Sequence, residues 1–341
     1  MQHLLRVRVR YPLVRGYLRL RCEPSWEREL APVAVSADGT CFEFEVRTSR
    51  PFVYAKPVLH LDGAVHWSRA ENALLLSSEP EQELFPWFFE ERACVACSAH
   101  RLVDENGDEH ELRVHLPPGY EENTLRRYPA IYLQDAQNLF FAGESFAGHH
   151  WRIPETLEVL REMNAIEPVI AIGIYPRQRE AQYTQPGYES YGRFLAETLK
   201  PWVDERWRTK REPEHNAVMG SSLGGVVSFH TAWRHPESFG LAGCLSSTFT
   251  WRDDFAERVV LEAKPPIRLY LDSGWPGDNY EVTREMRDLL VRRGFKTGAD
   301  LLYLAYPQAQ HDERAWAERV HVPLQFFFGH RPQLEREARP A

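Results

Sequence analysis

Two regimes of hydrophobic patterning divide the chain. Over the first part, apolar and polar positions alternate, as in Leu5-Arg-Val-Arg-Val-Arg, Tyr17-Leu-Arg-Leu-Arg and Cys41-Phe-Glu-Phe-Glu-Val. A period of two predicts strands with one wet face, and Asp38-Gly39 and Asp62-Gly63 supply turns between them. Residues 1–85 are therefore expected to form a small antiparallel β-sandwich. The polar, proline-bearing run Glu79-Pro-Glu-Gln-Glu-Leu-Phe-Pro reads as a linker. A hairpin follows, from Ala93 to Val103, round Glu105-Asn-Gly-Asp108, and back over Glu111 to Leu116. Pro117 and Pro118 stop it, because proline cannot continue a ladder.

From Tyr128 onward the pattern changes. Ala130-Ile-Tyr-Leu and Val169-Ile-Ala-Ile-Gly-Ile are short, nearly continuous apolar runs, as strands covered on both faces require. Further strands are expected at Asn216-Ala-Val-Met, Leu241 to Ser246, Ile267 to Leu271 and Asp300 to Ala305. Helical stretches separate them: Glu155 to Met163, Tyr191 to Trp207, Leu223 to Trp233, Glu281 to Arg293 and Ala315 to Phe328. Strands alternating with helices predict an α/β domain over residues 90–332, built on a mostly parallel sheet with helices on both faces.

Within that domain, Gly220-Ser-Ser222-Leu-Gly-Gly matches G-x-S-x-G with Ser222 at the nucleophile position. The apolar strand before it and the apolar helix after it make a strand–turn–helix elbow that lifts a serine above a sheet. A hydroxyl needs a base, and His311 stands in the loop between the last expected strand and the last helix, at the C-terminal sheet edge. The imidazole needs an acid to hold its tautomer. Asp278, past a Gly-Trp-Pro-Gly turn, is favoured; Asp272 at the strand end stays open as the alternative. The order Ser222, Asp278, His311 is the order of α/β-hydrolases. An oxyanion would be met by the Leu223 N–H and by a second N–H from the loop Gln134-Asp-Ala-Gln-Asn-Leu-Phe.

Composition narrows the function. A net charge of -8 and a pI near 6.0 speak against a nucleic-acid partner. Arg6, Arg8 and Arg10 interrupt any apolar leader, and no run approaches a membrane span, so a cytoplasmic chain with no membrane partner is expected. The odd count of 5 cysteines describes no disulfide framework, and Cys94 and Cys97 lie three apart in a strand-like run, on opposite faces. His149-His150 lacks a third ligand for a metal. No cofactor is expected.

The motifs Tyr132-Leu-Gln-Asp-Ala-Gln-Asn-Leu-Phe, Trp151, Gly220-Ser-Ser-Leu-Gly-Gly, Tyr270-Leu-Asp-Ser-Gly and His311-Asp-Glu-Arg-Ala-Trp together resemble the "putative esterase" family of α/β-hydrolases. It includes enterochelin esterases, feruloyl esterases, esterase D and the antigen 85 mycolyltransferases. The resemblance implies Ser222, Asp278 and His311 as a catalytic triad and Leu223 and Gln137 as oxyanion donors. It has two departures. Asp135-Ala136 stands where the family has Asp-Gly, and Asp278 lies one residue further from Gly274 than the family's acid. The first domain resembles an early-set immunoglobulin-like or starch-binding-type module, in which Trp26 and Trp67 fill a core or stack on a ring. The expectation is a serine esterase acting on a small-molecule ester, sugar- or siderophore-linked, with Tyr183, Arg177, Arg179 and Trp151 near the substrate. An acyltransferase is the alternative, as is a carbohydrate-binding protein with an inactive hydrolase domain.

Overall fold

The computed structural model describes residues 2–90, 97–104, 107–146 and 148–329. The alternating N-terminal segment forms two facing sheets. One runs Ala34–Val35, Cys41–Thr48, His3–Arg10, Glu81–Leu84; the other runs Ser25–Leu30, Tyr17–Cys22, Phe52–Leu61, Ala64–Trp67, with Ala73–Leu76 also on Phe52–Leu61. Leu5, Val7, Leu18, Leu20, Phe44 and Val46 point between them and are buried. Trp67 is 40% exposed and holds the Arg21 guanidinium over its ring at 4.6 Å, so it lies on the outer face rather than in the core. The expected linker contains a strand. Glu81–Leu84 pairs in parallel with His3–Arg10, because its alternating glutamates meet the arginines opposite. Arg8 reaches Glu81 at 3.2 Å and Arg10 reaches Glu83 at 2.8 Å.

The larger sheet contains Cys97–Val103 (β1), Glu109–His115 (β2), Ala130–Gln134 (β3), Ile170–Ile174 (β4), Asn216–Ser221 (β5), Leu241–Leu245 (β6), Arg268–Trp275 (β7) and Leu301–Pro307 (β8). Their spatial order is β1-β2-β4-β3-β5-β6-β7-β8. The pairings from β4 to β8 are parallel, while β2 runs antiparallel to both β1 and β4. Every residue of β3, β4 and β6 is buried, the consequence of helices covering both faces. This is the α/β-hydrolase architecture. Cys94 lies outside the described residues. Cys97, at the start of β1, is half-buried, and burial pushes its thiol up to about 12, which leaves it no thiolate chemistry at neutral pH.

Two expected helices are broken, each at a proline. The segment expected as helix from Tyr191 to Trp207 becomes Gly187–Arg193, a π-helical turn over Phe194–Leu199, and Lys200–Arg206. Pro201 has no N–H for the Glu197 carbonyl, so the ladder widens there. The closing helix divides into Glu313–Arg319 and His321–Phe328, since Pro323 offers no N–H to the Arg319 carbonyl.

One carboxylate joins the two parts of the chain. Glu122 accepts the N–H groups of Phe88, Phe89 and Glu90 at 2.6, 2.8 and 2.7 Å and the Tyr11 hydroxyl at 2.9 Å. Glu90 reciprocates by accepting the N–H groups of Gly119 and Glu122 at 3.0 and 3.1 Å. Asn123 adds bonds to the carbonyls of Arg10 and Pro86 at 2.9 and 2.8 Å. Glu122→Ala orphans several donors at once and is expected to destabilise the protein by about 2–4 kcal/mol. Urea unfolding of the variant against the parent measures this.

Candidate active site

Ser222 occupies the one-residue gap between β5 and the helix Leu223–Arg234, with φ 55° and ψ -123°. A side-chain-bearing residue at positive φ outside the left-handed well is strained, and such strain persists only where neighbours over-determine it. Two neighbours do so. The Ser222 N–H donates to the Leu245 carbonyl at 2.9 Å. At Gly220, a Cβ would stand 2.6 Å from the Gly224 backbone, so only glycine lets strand and helix approach this closely. The N–H groups of Gly225 and Val226 return to the Ser222 carbonyl at 3.1 and 3.2 Å, leaving those of Leu223 and Gly224 with no backbone acceptor among the described residues.

Facing this turn is the segment after β3. Alanine at 136, where the resemblance leads one to expect glycine, resists a positive φ, and here the positive φ belongs to the residue before it. Asp135 takes the left-handed conformation at φ 60°, and Ala136–Asn138 forms a 3-10 turn. Aspartate tolerates that region because its short side chain can be bonded locally. Here Arg179 holds it with two bonds, Nε to Oδ1 at 2.8 Å and Nη2 to Oδ2 at 2.9 Å. The N–H groups of Asn138 and Leu139 return to Asp135 and Ala136, so the Gln137 N–H has no backbone acceptor among the described residues.

The Asp278 and His311 side chains meet directly, His311 Nδ1 to Asp278 Oδ1 at 2.5 Å. Asp278 is 3% exposed and His311 39%. The residue spacing beyond Gly274 is absorbed by a tight turn, in which Asp278 Oδ2 accepts the Gly274 N–H at 2.7 Å. Gly274 is required there, since its Cβ would lie 2.0 Å from the Ala309 carbonyl in the loop that carries His311. Ser246 donates to the same Oδ2 at 2.5 Å. Burial pushes the Asp278 carboxyl up, but the bonds from His311, Ser246 and Gly274 outweigh it and hold the group below the usual carboxylate range. Asp272, the alternative acid, is engaged by other groups. It is fully buried, accepts from Tyr270 at 2.8 Å and Arg319 Nε at 3.1 Å, and is raised by that burial.

An elbow serine, an acid-bonded histidine and backbone N–H groups with no backbone acceptor among the described residues thus lie at the C-terminal edge of one parallel sheet. The model of the family described as "Putative esterase" matches residues 104–324. The chain belongs to this esterase family. Its relatives include the uncharacterized protein YbbA of Bacillus subtilis, 25% identical over an alignment of 254 residues that covers 67% of this chain and 96% of YbbA. Among solved structures, the enterobactin esterase FES from Shigella flexneri aligns with a TM-score of 0.56 at 11% identity, covering 95% of this chain and 93% of FES. The feruloyl esterase module from Clostridium thermocellum aligns with a TM-score of 0.55 at 15% identity, covering 70% and 90% of the two chains. At such identities the structural likeness is one of fold.

The other residues of this esterase-family site stand differently from their sequence expectation. Tyr183 is fully buried, its ring tilted against that of Tyr191 and covered by the Arg179 guanidinium, so it packs beneath Arg179 instead of facing an open cleft. Trp151 is 2% exposed and rests on Trp316; Trp316 in turn stands edge-on to His311, 5.0 Å between centroids. Trp151 is therefore a wall behind the histidine. Arg177 is held by Asp108 at 2.7 Å. His150 lies 3.7 Å from Glu155, and no cluster of three metal-ligating side chains occurs among the described residues. Surface cavities of about 380 and 330 Å³ have none of Ser222, Asp278 and His311 in their walls.

Sequence reasoning missed Ser246, Asn138, Glu313 and Arg319. Asn138 donates to Glu313 at 3.0 Å, tying the turn after β3 to the histidine loop. No local pattern marks these contacts, which cross 175 residues in that case. Arg179→Met removes both bonds to Asp135 and loosens the turn that carries Gln137. It is expected to lower kcat for p-nitrophenyl acetate by about tenfold or more while KM stays within about twofold. Steady-state kinetics with a thermal melt as control checks this.

Proposed function

We propose that the protein hydrolyses a carboxylic ester through an acyl-enzyme on Ser222. His311 is the base. Its Nδ1–H is engaged by Asp278, which leaves Nε2 with a lone pair to accept the Ser222 Oγ proton. Oγ then bonds to the ester carbonyl carbon, and the oxyanion is met by the N–H groups of Leu223 and Gln137. As the tetrahedral intermediate collapses, the alcohol leaves with the proton from Nε2. Water repeats the sequence, giving up a proton to His311 and releasing the acid from Ser222. The scheme uses no cofactor.

The observation that carries this reading is the Asp278–His311 bond at 2.5 Å, formed at the sheet edge where Ser222 holds its elbow conformation. Fluorophosphonate treatment followed by mass spectrometry tests it: a single adduct on Ser222 is expected, and adduct formation elsewhere overturns the assignment. Ser222→Ala is expected to keep its thermal midpoint and lose at least about a thousandfold in p-nitrophenyl acetate hydrolysis.

The acyl part of the substrate is proposed to be aromatic. The supports are the likeness to a feruloyl esterase module complexed with sinapinate and to an enterobactin esterase in the presence of 2,3-di-hydroxy-N-benzoyl-glycine. Exposed rings at the same sheet edge, Trp251 after β6 and Trp275 at the end of β7, offer stacking surface. A preference on the order of tenfold in kcat/KM for methyl ferulate over methyl butyrate is expected; equal values for the two esters overturn the aromatic assignment.

A further inference from the structure

Behind the Asp278–His311 pair lies an ion pair that the scheme above leaves unused. Arg319, on the helix Glu313–Arg319, is 2% exposed and Asp272, on β7, is 0% exposed. Arg319 Nε reaches Asp272 Oδ2 at 3.1 Å, while its Nη2 reaches Ser246 Oγ at 2.5 Å and Asp278 Oδ2 at 3.5 Å. One guanidinium is thus shared unequally between two carboxylates. It bonds the oxygen of Asp278 that faces away from His311, leaving Oδ1 to the imidazole. Ser246 Oγ sits at the centre, accepting from Arg319 and from Trp316 Nε1 at 2.9 Å and donating to Asp278.

An ion pair buried this deeply is a poor source of stability, since apolar residues of similar volume hold a core as well or better. Its position points to a different use. We propose that Arg319 and its counter-ion Asp272 are positioning residues that set the basicity of His311 through Asp278. The inference rests on the acyl-enzyme reading. The positive charge of Arg319 keeps Asp278 anionic but opposes a second positive charge on His311 when the imidazole takes the serine proton. Asp272 offsets that field. Without Asp272, Arg319 would disfavour the imidazolium; without Arg319, the two acids would favour it.

The other titratable groups around the pair are committed. Tyr270 on β7 donates to Asp272 at 2.8 Å, and its hydroxyl lies 3.3 Å from that of Tyr306 on β8. Asp312 caps its helix through the Ala315 N–H at 2.8 Å, and Glu313 accepts from Asn138. Burial raises both tyrosines, so they remain neutral across the working range.

The two single variants have opposite signs. Activity needs neutral His311, so the acid limb of kcat/KM follows its titration in the free enzyme. Arg319→Gln removes a positive charge, favours the imidazolium and moves the limb to higher pH. Asp272→Asn removes a negative charge, disfavours the imidazolium and moves it to lower pH. At separations of this size each shift is expected to be about one pH unit. The experiment is p-nitrophenyl acetate kcat/KM against pH for the parent and both variants, with thermal midpoints recorded. A structural role alone lowers the plateau and the midpoint without moving the limbs apart. Coincident limbs in folded variants therefore overturn the proposal. If Arg319→Gln does not fold, the isosteric Asp272→Asn decides, and an unmoved limb is the adverse result. Fluorophosphonate labelling of the parent separates the two levels: no adduct on Ser222 sinks the acyl-enzyme reading itself, whereas an adduct with unmoved limbs sinks only the tuning.

Discussion

A carboxylate leaves water only where donors replace the hydration it loses. Asp278 meets that condition with donors from four places in the chain: His311 in the loop after β8, Ser246 after β6, the Gly274 N–H at the end of β7, and Arg319 on the closing helix. None of these is adjacent to it in sequence. The burial of this one group therefore depends on the strand order and on the helix that packs over the sheet edge. It is also what orients the imidazole, because only one oxygen of Asp278 is left for His311.

The same logic holds on the other side of Ser222. The turn after β3 carries a left-handed Asp135, and the Arg179 fork occupies both oxygens of that side chain. Both halves of the site thus rest on an aspartate clamped by an arginine. The clamps differ in exposure: Arg179 is 38% exposed and Arg319 2%. Screening by water weakens the field of the first far more than that of the second, so only the inner pair carries the proposed effect on the basicity of His311.

The N-terminal sandwich is joined to the hydrolase sheet by reciprocal carboxylate–amide bonds between Glu122 and Glu90 and by Arg161 paired with Glu71. The joint lies at the β1–β2 side of the sheet. The site lies at the C-terminal ends of β5 to β8. The two features use different parts of the same scaffold.

Much of this molecule was determined by its sequence. Continuous apolar runs can be buried only as strands with both faces covered, which made the parallel sheet legible. The elbow at Gly220–Gly224 was legible because close strand–helix approach admits only glycine there. His311 stood out by its place between the last strand and the last helix. Which of Asp272 and Asp278 meets His311 was a matter of three dimensions: one lies on β7 and the other just past it, and the Gly274 turn brings the second to the imidazole. The strand at Glu81–Leu84 was hidden because edge pairing rests on cross-strand charges, not on hydrophobic period. The burial of Tyr183 and Trp151, the left-handed Asp135 and the Arg319–Asp272 pair were decided by tertiary packing alone. Each depends on which distant side chain supplies a donor or fills a space, and no local pattern encodes that.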